Sequence, residues 1–108
     1  MATLVIQTKF GEVVEIRDKE QQHIIDGHPE MTLDAITETV VRPDEVRYST
    51  VPNHHTRQLF VREATNNAFA GQYVKVIIEF KTEPAYVVSA MSQRKLSPAD
   101  RKGALRRD

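Results

Sequence analysis

The 108-residue sequence predicts an α+β domain, with two N-terminal helices packed on a four-stranded antiparallel sheet and a short β-hairpin ahead of the helices. Three observations carry this expectation. Leu33, Ile36 and Val40 recur at helical spacing. From Glu45 onward the apolar period falls to two, the spacing of half-buried strands. Pro, Asn and Gly stand at short intervals between those runs, which makes consecutive strands antiparallel neighbours.

Each element has its own signals. Residues 3–8 and 12–16 are rich in valine and isoleucine and flank Lys9-Phe10-Gly11, so they read as the hairpin. Asp18 stands as an N-cap with Gln21 at capping-box spacing, and Gly27 with Pro29 ends a helix of about nine residues. Thr32 caps a second helix, with Met31 and Ile36 placed as a hydrophobic staple, and Pro43 stops it. Strands follow at 45–51, 57–63, 72–81 and 85–91, separated by Pro52-Asn53, by Asn66-Asn67 with Gly71, and by Glu83-Pro84. Residues 1–92 therefore form one domain, and 93–108 a basic tail in which Ser97 and Pro98 open a short, frayed helix.

Composition narrows the class. A chain of 108 residues supplies one core and not two. It lacks both the run of roughly 18 apolar residues that a membrane helix needs and the start of a signal peptide, so the expected setting is cytoplasmic, without a membrane partner. The absence of cysteine excludes thiol nucleophiles and thiolate metal sites. The zero net charge hides a division: residues 1–46 carry four basic and ten acidic side chains, and residues 47–108 eleven basic and five acidic. Such a division suits a face that meets phosphate, unless ion pairs between the halves cancel the field.

The run from Gln22 to Glu30 puts His23 and His28 at the end of a short helix, where two imidazoles can give and take protons near neutral pH. Their five-residue spacing is not the i, i+4 arrangement of a helical zinc site, and neither metal nor cofactor is expected. Alternation supplies candidate partners. Val74, Val76, Ile78 and Phe80 share one face of their strand, which turns Lys75 to the other; Ser89 and Arg62 are expected to join it there, with Arg57 at the strand entrance. His55 follows Pro52-Asn53 in a loop that can meet substrate. Imidazole suits the base and acid of metal-independent RNA cleavage through the 2′-hydroxyl, while Arg, Lys and Ser stabilise charge on phosphorus. DNA lacks that internal nucleophile, so the expected substrate is RNA.

The run from Asp18 to Met91 resembles the phage-associated ribonuclease-like domains of the barnase/EndoU/colicin/RelE superfamily. The similarity rests on the His-Ile-x-x-x-His-Pro-Glu-type run at His23 to Glu30, the Pro-Asp-x-Val-type turn at Pro43 to Val46, the arginine-bearing stretch Arg57 to Arg62, the apolar strand Tyr73 to Phe80, and the final Ser89-Ala90 pair. It implies an endoribonuclease, often in toxin or mobile-element contexts. His23, His28, Arg62 and Ser89 would then be its catalytic set, with Arg57, Lys75 and His55 on the substrate and an inhibitor or immunity protein as a partner. The chain departs from the pattern where Ser89 replaces the commoner Thr and where Phe60-Val61 supplies no tyrosine hydroxyl, leaving Tyr48 or Tyr86 to provide one.

Plainer readings stand beside these roles. His23 adjoins Ile24 and Ile25 as a structural helix residue would, and His28 suits a helix C-terminus. Arg57 and Arg62 can pair with Glu63 or Glu79 across strands, and Ser89 can be an ordinary strand residue. The whole chain can equally be a catalytically inactive relative that binds protein or RNA.

Overall fold

The computed structural model describes residues 3–63 and 72–107, which fold as α+β with three helices and one six-stranded mixed sheet. The turn expected at Asn66-Asn67 with Gly71 lies outside the described residues. In chain order the elements are β1 (Leu4–Gln7), β2 (Val13–Ile16), α1 (Asp18–Gly27), α2 (Leu33–Val41), β3 (Glu45–Tyr48), β4 (Arg57–Glu63), β5 (Tyr73–Glu79), β6 (Ala85–Gln93) and α3 (Pro98–Lys102).

The sheet order is β1-β2-β6-β5-β4-β3. Strands β3 to β6 form the expected antiparallel series. The hairpin, expected ahead of the sheet as a separate unit, instead joins it: β2 lies parallel to β6, with Val14 opposite Ala85 and Glu15 opposite Tyr86. Val14 and Ile16 are fully buried, so this pairing hides apolar surface that a free hairpin would leave wet. The sheet curls, since α2 touches β1 at one edge and β4 and β5 toward the other.

Both N-terminal helices cover one sheet face. α1 begins one residue earlier than a cap at Asp18 implies: Arg17 is the N-cap, and no side chain caps the helix. Gln21 turns inward instead, its Nε2 donating to the Ile16 carbonyl at 2.8 Å. α2 follows its sequence signals, with the Thr32 hydroxyl accepting from Ala35 N and both Met31 and Ile36 buried. Ile24, Ile36 and Val40 from the helices meet Val14, Ile16, Phe60, Val76, Ile78 and Val87 from the sheet in one core.

Strand β4 is apolar on both faces, which alternation alone does not reveal. Phe60 pairs with Val76 and enters the main core, while Leu59 and Val61 face the opposite way and form a second cluster with Leu96. Leu96 belongs to the tail, and the fraying expected there gives way to an anchored strap. Ser97 caps α3 by accepting from Asp100 N. Beyond it Tyr48 N donates to the Ala104 carbonyl, Arg106 N donates to the Val46 carbonyl, and Leu105 bridges Arg47, which covers the β3 edge.

Candidate functional site

The cross-strand register divides the candidate residues among three places. Arg62 pairs with Val74, and Val74 with Ser92, so these three share the helix-bearing face. Lys75 pairs with Val61 and Met91 on the opposite face, beneath the tail. The expectation that Arg62 joins Lys75 on one face is therefore corrected. Its basis was that Leu59 and Val61 mark the core side of β4, whereas Phe60 does.

Ser89 does share the Lys75 face, opposite Ile77. Alternation alone would also place Val87 there, but a register shift between Ile77 and Ile78 leaves an extra residue in β6 and returns Val87 to the helix side. Arg57 stands on the Lys75 face at the far end of β4. Its Nε is 3.2 Å from Glu79 Oε1, one of the two cross-strand pairings weighed from sequence. His55 is exposed in the β3–β4 connection, and His54 Nδ1 lies 3.4 Å from Arg57 Nη1.

The two helix histidines remain on the other side of the sheet. His23 is exposed on α1. His28 is the C-cap residue, its N–H donating to the Ile24 carbonyl at 2.7 Å. Its imidazole is 38% exposed, and Nδ1 is 3.8 Å from Glu30 Oε2. The same Glu30 oxygen accepts from Ser92 Oγ at 3.4 Å. Ser92 and Arg62 are two strands apart in one row, about 10 Å by the usual strand spacing. A helix-side group thus comprises His28, Glu30, Ser92 and Arg62; sequence reading had Glu30 only as the end of the histidine run, with no site role, and missed Ser92. Ser92 lay beyond the predicted strand end, and only the extra β6 residue turns it to this face.

Most of the candidate cations are occupied. Arg62 contacts Glu38 at 3.2 Å and donates to the Arg42 carbonyl. Lys75 Nζ is 2.9 Å from Asp100 Oδ2, with both side chains largely buried. Tyr86, a candidate for the missing hydroxyl, is covered by the Arg17 guanidinium at 3.9 Å from its ring centroid. Among the described residues no three His, Asp or Glu side chains cluster as a metal site would need.

At the opposite end of the helix-bearing face, sequence reading missed a cleft of about 670 Å³. The β1–β2 turn, the end of β3, the start of β4, the β5–β6 connection and Arg106 all line it. Thr8 braces that turn, its Oγ1 accepting from Phe10 N and Glu12 N, while Gly11 adopts φ +87°, a conformation glycine tolerates. No sequence period signalled this site, because its members come from five separate elements.

Comparison with protein-family models, curated proteins and solved structures gives no match for this chain. No helix among the described residues is long and apolar enough to cross a membrane.

Proposed function

We propose that this chain is a small endoribonuclease of the barnase/EndoU/colicin/RelE type, acting at the His28 end of the helix-bearing face. The observation that carries this reading is the His28–Glu30–Ser92 chain in line with Arg62. Glu30 stands on the Nδ1 side of the ring at 3.8 Å, which leaves Nε2 as the nitrogen for proton transfer. His28 takes the 2′-hydroxyl proton as the 2′-oxygen attacks phosphorus. The bond to the 5′-oxygen breaks, and that oxygen leaves with a proton from a second acid. His23, one turn back on the same helix, is the nearest second imidazole in sequence. The Arg62 guanidinium balances charge on the phosphoryl oxygens. Lys75, Ser89 and Arg57, on the other side of the sheet, do not reach the same phosphate. A toxin-like or phage-borne setting and an inhibitor partner follow from the same reading.

The engagement of Arg62 with Glu38, Arg57 with Glu79 and Lys75 with Asp100 favours a second reading, a catalytically inactive relative that binds protein or RNA. A fluorogenic RNA assay with a chelator present decides between them. The nuclease reading expects cleavage that persists with chelator and falls roughly a hundredfold to ten-thousandfold in His28→Ala, the contribution of one general acid or base. No turnover of single-stranded RNA or tRNA would leave the binding module as the function.

A further inference from the structure

We propose that the cleft around Gln58 and Arg106 binds a nucleotide, base inward and phosphate at the rim. The choice of ligand rests on the RNA reading above; the site itself lies at the other end of the sheet and shares no residue with the His28 group. Its volume, about 670 Å³, is in the range of small-molecule sites.

The site is built and not merely a surface gap. Arg106 has a side chain 8% exposed and lies 3.9 Å from the Phe10 ring centroid. Its Nη1 donates to Glu12 Oε1 at 2.8 Å and to Gln58 Oε1 at 2.9 Å. Those bonds fix the Gln58 amide from below. Gln58 is itself 9% exposed, and its Nε2 has no hydrogen-bond partner among the described residues. That nitrogen is open to the cleft, so its N–H groups are available to an acceptor that enters. Every nucleobase carries ring-nitrogen or carbonyl acceptors at its edge.

The walls suit the faces of that base. Phe80 is half-buried, and Tyr48, 39% exposed, stands opposite Gln58 in the β3–β4 register. Aromatic faces hold bases with little regard to sequence, as single-strand binding sites do. Lys81 at the rim supplies a cation for phosphate, and Glu83 beside it keeps that charge from becoming a general anion trap. Glu12 is neutralised by Arg106. Gln58 therefore fixes the base edge, Tyr48 and Phe80 its faces, and Lys81 the phosphate.

The test uses the full chain and adenosine 5′-monophosphate as probe, followed by two-dimensional NMR, with ribose 5-phosphate and inorganic phosphate as controls. Saturable shifts at Tyr48, Gln58 and Lys81 with the nucleotide, and none with either control, are expected. Tyr48→Ala and Lys81→Ala, both at exposed side chains, should weaken binding at least tenfold and threefold, respectively. Gln58→Leu should abolish it while the spectrum stays folded, and His28→Ala should leave it unchanged. Shifts with phosphate or ribose 5-phosphate as large as with the nucleotide would overturn the base-inward site, as would no shifts with the nucleotide. RNA cleavage that disappears in His28→Ala would still uphold the nuclease reading in that case.

Discussion

Glu79 shows how one side chain can be held charged inside the fold. It is 2% exposed, and burial by itself pushes its carboxyl upward; hydrogen bonds from Thr56 and Arg57, another from Lys81 N–H, and the Arg57 charge outweigh that and hold it below the ordinary glutamate value. A carboxyl depressed by folding adds stability that is present above its unfolded pKa and is lost as pH falls through the depressed folded value. Glu79→Gln should therefore cost about 1.5–3 kcal/mol at pH 7, the worth of hydrogen bonds to a charged group. Its deficit against the parent should shrink as the pH is taken below about 4.5. Chemical denaturation across pH 7 to 3 measures this, and a constant gap would count against the assignment. The same scale explains the limits of the site reading. The types of His28 and Arg62 announced their chemistry, but of the partners that set what each can do, Glu30 stood only at the end of the histidine run with no role attached, and Glu38 is named by no local motif.

Among the elements, the tail strap holds the most that sequence could not disclose. Ser97 and Pro98 signalled α3 correctly, yet nothing in a basic, sparsely apolar stretch announced that Leu96 covers Leu59 and Val61 or that Asp100 meets Lys75. The strap passes close to β3: a Cβ built at Gly103 would lie 2.0 Å from the Tyr48 carbonyl oxygen, and Arg47 Nη1 donates to the Gly103 carbonyl at 2.9 Å. Gly103→Ala should push the strap off this edge. The bonds from Tyr48 N to Ala104 and from Arg106 N to Val46 would go with it, a loss of about 1–3 kcal/mol at roughly 0.5–1.5 each. Amide exchange at Tyr48 and Arg106 should then speed up while exchange in β5 changes little. Unaltered protection at both amides would show that the edge accommodates the methyl group.

For the whole molecule, one core does most of the work and Phe60 is its largest fully buried side chain, stacked on Phe80 with centroids 6.3 Å apart. Phe60→Ala should cost about 3–5 kcal/mol through lost transfer energy and a residual cavity. In a domain of this size that corresponds to a melting-point fall of roughly 15 °C or more. A thermal scan showing less than about 5 °C would mean the core refills around the gap. The charge division along the chain also resolves at this scale. Arg106 with Glu12, Arg62 with Glu38 and Arg47 with Glu45 pair the basic half with the acidic half, so the field expected from sequence is partly cancelled.

The sequence by itself determined the helices, the antiparallel run of four strands and most of their limits, because capping residues, prolines and apolar periods act within a few neighbours. Met31 and Ile36 beside the Thr32 cap, and the strand Arg57–Glu63, are cases where local chemistry sufficed. Tertiary structure decided the parallel joining of β2 to β6, the faces to which Arg62 and Lys75 turn, and the grouping of Phe10, Gln58 and Arg106. Those depend on register between distant strands and on which of two apolar faces the helices cover, and a one-residue change in register or an extra strand residue reverses a side chain's direction without altering any local signal.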